Sequence, residues 1–315
     1  MKNEIFFRLR KSRLLSRVWN QALSYLVFRQ WIVLVASCIR EERPFWSNFT
    51  PIFPPPDRIW ADPFVWVYKN NYYIFVEELL YETNRGRIAC LALDKQLKLK
   101  ANYVVLERPY HLSYPFLFKY DNQLYMLPET KGNSTIELYR CSDFPSKWKH
   151  VETLLSDINA VDSTILHANG KWWLFTCKAD AKKSGSEALY LYFADQPISN
   201  EWISHPQNPI VRDMKFARPA GQIFVKDGNL IRPCQDCSVR YGYAMNFCRI
   251  TSLTESDYGE IHEWTIKPPA RTNILAAHTL NQAEGLYVTD VLLYRWKSQN
   301  DKQAIERHSS SIERL

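Results

Sequence analysis

Residues 62–78 read Asp62-Pro63-Phe64-Val65-Trp66-Val67-Tyr68-Lys69-Asn70-Asn71-Tyr72-Tyr73-Ile74-Phe75-Val76-Glu77-Glu78. A polar anchor opens an apolar run, Asn70-Asn71 supplies a turn that tolerates positive φ, and a second apolar run ends on two acids. This is the pattern of a tight β-hairpin. It recurs as Tyr114-Pro115-Phe116-Leu117-Phe118, the turn Asp121-Asn122 and residues 124–127. A third copy runs from Asp162-Ser163-Thr164-Ile165-Leu166 through Asn169-Gly170 to residues 172–175. The fourth opens on Arg218-Pro219-Ala220-Gly221, turns at Asp227-Gly228 and continues at 230–231; a weaker fifth starts near His278 and turns at Glu284-Gly285.

The anchors stand 52, 48, 56 and 60 residues apart. Further short apolar runs follow each hairpin, and three units reach a tryptophan (Trp148, Trp202, Trp264) suited to an outer strand. Four strands in a repeat of roughly 50 residues is the arithmetic of a propeller blade. The fold class expected is therefore all-β, a five-bladed β-propeller spanning residues 31–297. A strand at residues 31–36 precedes the first copy and is expected to complete the last blade and close the ring. A β-sandwich of irregular hairpins is the alternative, and the regular position of anchor and turn disfavours it.

Outside that range lie a leader, residues 1–30, and a polar tail, residues 298–315. The chain has 40 Lys+Arg against 33 Asp+Glu, a net +7 over 315 residues. Seven basic residues and one acid fall within residues 1–30, so the leader carries +6 and the remainder +1. A nearly neutral body disfavours nucleic-acid binding. Apolar side chains at Leu14/Leu15, Val18/Trp19, Ala22/Leu23 and Leu26 recur at helical spacing. Residues 5–28 thus read as a short amphipathic basic helix, packed on the propeller edge or docked on a membrane surface. Arg29 and Gln30 split the apolar stretch nearby into pieces far short of the ~20 residues that span a bilayer. A signal peptide fits poorly, because no small-residue cleavage site follows cleanly. Seven scattered cysteines, several inside apolar runs, suit buried free thiols in a reducing compartment. Cys234-Gln235-Asp236-Cys237 lacks a second ligand pair, which disfavours zinc. The expected location is cytoplasmic, with peripheral contact at the inner face of the membrane through residues 1–28.

The first strand of each propeller blade lines the central channel, so the anchors are expected to converge at one mouth. They bring Asp62, the run His111-Leu112-Ser113-Tyr114, Asp162-Ser163 and Arg218; second-strand ends add Glu77-Glu78, Glu129 and Gln235-Asp236. Carboxylates from different blades around one cleft suit glycosidic chemistry, where one acid protonates a leaving oxygen and another activates water or attacks. Arg218 is suited to pair with a carboxylate or with a substrate phosphate. Bland readings stand beside these. Consecutive strand residues face opposite sides, so only one of Glu77 and Glu78 looks inward. Glu129 after Pro128 is also a plausible strand end. Asp162-Ser163 fits turn chemistry, His111 and His278 are more often structural than ligating, and Asp236 between two cysteines is ambiguous. The lysines of residues 178–183 read as a solvated loop.

The chain resembles the N-terminal domain family named after plant glucosamine inositolphosphorylceramide transferase. The resemblance covers residues 45–260. It is carried by Asp62-Pro63-Phe64, His111-Leu112-Ser113-Tyr114-Pro115-Phe116, Tyr125-Met126-Leu127-Pro128-Glu129, Val161-Asp162-Ser163, His205-Pro206-Gln207-Asn208-Pro209, Gln235-Asp236-Cys237 and Tyr241-Gly242, in that order. That family in turn looks like the five-bladed propellers of arabinanase- and invertase-type glycoside hydrolases. The resemblance implies Asp62 as base or nucleophile and Asp162 as an electrostatic tuner of the acid. The hydrolases' acid Glu comes from a later blade, where this chain offers Arg218 and Gln235-Asp236 instead; simple hydrolysis is disfavoured, and Glu129 is the acid candidate. Glu77, His111, Tyr114, Ser163, Arg218, Gln235 and Asp236 are expected substrate contacts. In the plant proteins the domain precedes a separate glycosyltransferase domain. The function expected is therefore carbohydrate-active, on a glycan, sugar nucleotide or glycolipid in surface polysaccharide or glycolipid biosynthesis, by glycosyl transfer or cleavage. The alternative is a non-catalytic glycan-binding module that partners a separate glycosyltransferase. No cofactor is expected, apart from the divalent cation that occupies the channel of some related propellers.

Overall fold

A computed structural model describes residues 27–296 apart from 41, 43, 44, 180–186 and 271. Five antiparallel sheets form the five blades. Blade one holds β3 (Arg58–Tyr68), β4 (Asn71–Leu80), β5 (Arg85–Leu93) and β6 (Leu99–Leu106). Blade two holds β7 (Ser113–Tyr120), β8 (Gln123–Glu129), β9 (Thr135–Asp143) and β10 (Lys147–Ser156). Blade three holds β11 (Ala160–Ala168), β12 (Lys171–Ala179), β13 (Glu187–Ala194) and β14 (Ile203–Ser204). In blade four the inner strand is broken into β15 (Arg218–Pro219) and β16 (Phe224–Lys226), followed by β17 (Asn229–Asp236), β18 (Ala244–Leu253) and β19 (Tyr258–Ile266).

Blade five closes the ring as the sequence predicts. Its inner strands β20 (Ile274–Ala276) and β21 (Leu280–Ala283) and its second strand β22 (Leu286–Trp296) come from one end of the propeller. Its third and fourth strands, β1 (Val27–Ala36) and β2 (Thr50–Ile52), come from the other. β1 pairs with β22 over its whole length, from Val27 opposite Trp296 to Ala36 opposite Tyr287. The strand starts four residues before the expected boundary at residue 31. Gln30 is fully buried and donates to the Pro55 and Arg58 carbonyls at 2.8 and 2.6 Å, which holds the backbone extended there. Most of the expected leader helix, and the polar tail, lie outside the described residues.

The repeat's turn residues do what their chemistry dictates. All five hairpins have two-residue loops with positive φ at both positions: Lys69-Asn70, Asp121-Asn122, Asn169-Gly170, Asp227-Gly228 and Glu284-Gly285. Both central residues of a type I′ turn require that conformation. In blade one the loop sits one residue earlier than expected, because Tyr68 pairs with Asn71.

The core lies between blades. A middle strand is covered on both faces, so its run is continuously apolar, and alternate residues serve different neighbours. On β4, Phe75 packs with Phe116 and Trp148 of blade two, while Ile74 and Val76 pack with Val33, Val35 and Val288 of blade five. On β12, Leu174 joins the blade-two cluster and Trp173, Phe175 and Cys177 face Ala217 and Ile223 of blade four. Trp148 and Trp264 lie on outer strands, and Trp202 immediately precedes one.

Candidate active site at the polar mouth of the channel

The anchors reach the channel through a shared backbone device. Strand register breaks between Ala61 and Phe64, between Ser113 and Phe116, and between Val161 and Thr164. Each break is a β-bulge whose first residue has positive φ: Asp62 at 50°, Tyr114 at 44° and Asp162 at 52°. A bulge kinks the strand and re-aims one side chain, here into the channel. Left-handed backbone at a tyrosine is unusual, and such strain concentrates at functional positions. In blade four Gly221 plays this part at φ 133°; a Cβ there would stand 2.3 Å from the Leu280 carbonyl oxygen.

Asp62 is buried and held on both oxygens. Oδ1 accepts from the Thr279 hydroxyl at 2.9 Å and lies 3.5 Å from His278 Nε2; Oδ2 accepts from the Tyr114 N–H at 3.2 Å. Burial pushes its carboxyl up to about 7, against the pull of the His278 charge. Asp162 is equally buried. Its Oδ2 accepts from Arg218 Nε at 2.6 Å and Gln235 Nε2 at 3.0 Å. Burial raises its carboxyl and Arg218 opposes the rise. Arg218 also reaches Glu187 at 3.4 Å, and its guanidinium lies 5.1 Å from the centre of the Tyr241 ring. Arg218 thus pairs with the Asp162 carboxylate, one of the two partners expected of it.

Glu129 differs from both. Its carboxyl has no hydrogen bond to any described residue, and burial and the Asp162 charge push it up to about 8. It therefore keeps its proton near neutral pH, as a group must if it is to donate one. Glu77 and Glu78 divide as the strand alternation requires. Glu77 lies 3.3 Å from His111 Nε2. Glu78 turns into blade one, where Trp60, Arg87 and Asn102 donate to it. The Gly86 N–H donates to His111 Nδ1 at 2.9 Å, so the ring proton sits on Nε2 and points at Glu77.

Three expected contacts do not face the mouth. The Tyr114 ring is fully buried, packed edge-on to Phe64, and its hydroxyl bonds Thr164 Oγ1 at 3.0 Å and accepts from the Gly221 N–H at 2.9 Å. It plugs the channel beneath the carboxylates. Ser163 bonds Thr176 at 2.8 Å inside blade three. Asp236 accepts from the Ser238 N–H and hydroxyl and shapes a loop. In each case the side chain follows the strand's alternation into the blade or meets a nearer partner.

The weak fifth unit supplies the groups that sequence reasoning did not reach. Asp290 is fully buried; it accepts from the backbone N–H of Asp62, His278 and Thr279 at 2.8, 3.2 and 3.1 Å, and lies 2.7 Å from His278 Nδ1. Burial disfavours a charged His278, but Asp290 and Asp62 overcome it and raise the ring to about 9. Trp31, from the closing strand β1, stacks on that imidazolium at 4.2 Å and 17°. Tyr241 stands edge-on to His278 at 5.1 Å and is 47% exposed, so one aromatic wall of the mouth is open to solvent. Asp290 interrupts an apolar strand as Asp62 does, and that was the available signal. Asp62, His278 and Asp290 each offer one ligand atom, all within 4.8 Å of one another. They fit a divalent cation only once His278 releases its proton, because both charges would neutralise the same two carboxylates.

Residues 52–276 match the family model described as glucosamine inositolphosphorylceramide transferase 1, N-terminal. The chain belongs to this family. It is 36% identical over 212 residues to glucosamine inositolphosphorylceramide transferase 1 of Oryza sativa subsp. japonica, covering 65% of this chain and 28% of the rice protein. The Arabidopsis thaliana protein of the same name is 34% identical over 212 residues, covering 65% of this chain and 27% of its own length. The chain thus spans under a third of the relatives it matches. Solved structures share the propeller. A putative glycoside hydrolase from Bacteroides ovatus superposes with a TM-score of 0.55 at 11% identity, over 77% of this chain and 93% of that one. A family 117 glycoside hydrolase from Zobellia galactanivorans gives 0.52 at 10% identity, over 84% and 90%. At these identities the likeness is one of fold.

Proposed function

We propose that this family member acts on the sugar headgroup of a glycan or glycolipid, by acid–base chemistry at the polar mouth. The observation that carries the reading is the convergence of Asp62, Glu129 and Asp162 from three blades, with Glu129 alone of the three lacking a hydrogen-bond partner among the described residues and pushed up to about 8. Glu129 gives its proton to the leaving oxygen. Asp62 serves as base or nucleophile, and the Arg218–Asp162 pair fixes the field around Glu129. Trp31 and Tyr241 form the aromatic side on which a pyranose face stacks. The relatives' names point to a glucosamine- or inositol-phosphate-bearing sphingolipid headgroup as the substrate class, within surface polysaccharide or glycolipid biosynthesis.

The leader fits this reading. Arg29 accepts from Tyr81 and Gln30 is tied to Arg58, so β1 begins on the side of the polar mouth. In this proposal the basic charge of residues 1–28 docks on anionic lipid. No helix among the described residues is long and apolar enough to cross a membrane.

The test is turnover of sugar nucleotides, aryl glycosides and glycosylated inositol-phosphate lipids by the wild type, Asp62→Asn, Asp162→Asn and Glu129→Gln proteins. Loss of turnover in all three folded variants is expected; unchanged turnover sinks the assignment. A second reading, a glycan-binding module that presents substrate to a separate glycosyltransferase, is favoured by one observation. Protein donors already occupy both carboxylate oxygens of Asp62, and two of them share Oδ2 of Asp162. It predicts binding without turnover, unaffected by Glu129→Gln.

A further inference from the structure

The channel has a second mouth. Beneath the Tyr114 plug the inner strands of all five blades line a cavity of about 420 Å³. Its deep walls are apolar (Phe64, Phe116, Ile165, Ile223), and its rim carries Trp66, Trp172, His167, Lys119, Gln222 and Gln282. Tyr114 separates it from the carboxylates, because its hydroxyl ties Thr164 to Gly221 just above Ile165 and Gln222.

Three features of this mouth point to one chemistry. First, the aromatic faces are fixed: Trp172 is packed against Phe118 at 5.8 Å, Tyr120 at 5.5 Å and His167 at 4.7 Å. Rigid rings lose little entropy on binding. Second, the side chains of Trp66, Trp172, His167, Lys119, Gln222 and Gln282 make no hydrogen bond or ion pair to any described residue. This contrasts with the polar mouth, where most such groups are already paired. Third, no carboxylate lines the cavity, and Lys119 is its one fixed charge.

We propose that the lower mouth is a second saccharide site that takes an uncharged or anionic pyranoside. The ring's C–H face lies on Trp66 or Trp172, its hydroxyls meet the Gln222 and Gln282 amides, and a carboxylate or phosphate substituent meets Lys119. The volume falls in the range of small-ligand pockets. Its charge preference is opposite to that of the acid-rich upper mouth, and the inference does not depend on any reaction there.

Saturation-transfer NMR on the full chain tests it, with methyl glucoside, methyl glucuronoside and methyl glucosaminide as probes, each at a few mM, about the affinity expected of a single sugar. Transfer to the glucoside and the glucuronoside is expected. Trp66→Ala weakens both by about tenfold, a difference of ~1.4 kcal/mol. Exposed Lys119→Glu leaves the glucoside unchanged, weakens the glucuronoside by several-fold and admits the glucosaminide. The changes caused by Trp66→Ala and Lys119→Glu persist in an Asp62→Asn background, which separates this site from the upper mouth. The proposal is overturned if none of the three probes receives transfer. It is also overturned if transfer survives Trp66→Ala while Lys119→Glu leaves the glucuronoside unaffected.

Discussion

Replacing Asp290 by Asn tests whether a buried ion pair organises the polar mouth. In the folded protein the His278 imidazole rises from 6.5 to about 9, which corresponds to about 3 kcal/mol of preference for the protonated ring. The folded-state value lies above the unfolded one. The associated stability is therefore complete below pH 6.5 and is lost as the pH climbs through about 9. Asp290 is the stronger of the two carboxylate partners, at 2.7 Å against 3.5 Å for Asp62. Asp290→Asn removes most of this stabilisation and aims an amide N–H₂ at backbone N–H donors, a further loss of about 1–3 kcal/mol. Together these give a deficit near 5 kcal/mol around pH 6, or roughly 10 °C in Tm for a chain of this size. Near pH 10 only the hydrogen-bond loss remains, and the gap narrows to a few degrees. Calorimetry of both proteins across that range measures the gap directly. A gap that does not change with pH, or a His278 ring that still titrates near 9 in the variant, refutes the reasoning.

Gly86→Ala is expected to cost about 1–3 kcal/mol and to unseat His111, because the new Cβ would stand 2.4 Å from the Leu112 carbonyl, 2.7 Å from His111 Cε1 and 3.0 Å from Glu77 Oε1; chemical denaturation and the His111 NMR shifts report both effects. Glu129→Gln mimics the protonated acid. Since burial raises Glu129 to about 8, its stability contribution is complete below 4.5 and lost as the pH rises through 8. The variant should gain on the wild type by roughly 2 kcal/mol between mildly acidic and alkaline pH, allowing for partial exposure; urea titrations at both ends check it. Deletion of residues 1–26 should leave the propeller folded and abolish its binding to anionic vesicles, whereas deletion of residues 1–36 removes β1 and should yield insoluble or molten protein, as circular dichroism and gel filtration will show.

Much of this architecture is legible in the sequence because the repeat encodes it redundantly. An acid inside an apolar strand marks two of the bulges, at Asp62 and Asp162, a tyrosine marks the third, and a two-residue turn starts seven residues after each. The fifth blade is where legibility fades. Its strands come from opposite ends of the propeller, so no local pattern joins Trp31 to His278 or Val33 to Asp290. His278 reads as an ordinary structural histidine until the two carboxylates beside it are placed by the closed ring. Ser163 and Asp236 sit at the expected level of their strands but point elsewhere, since a bulge of one residue decides which neighbour faces the channel. Gly86 carries no signal at all, because its role is to leave room for His111.

The split composition of blade five also bears on how the chain acquires its shape. Four blades are built from contiguous segments, but β1, which meets β2 at three residues on one edge, must wait with its other edge open for a partner more than 250 residues later in the sequence. An edge strand as apolar as Trp31-Ile32-Val33-Leu34-Val35 is an aggregation risk during that wait. Val27 and Trp296 are direct cross-strand neighbours, so a circular permutant that joins them through a short linker and opens the chain before Arg58 would make every blade contiguous. Lower contact order should then speed assembly while leaving both channel mouths unchanged.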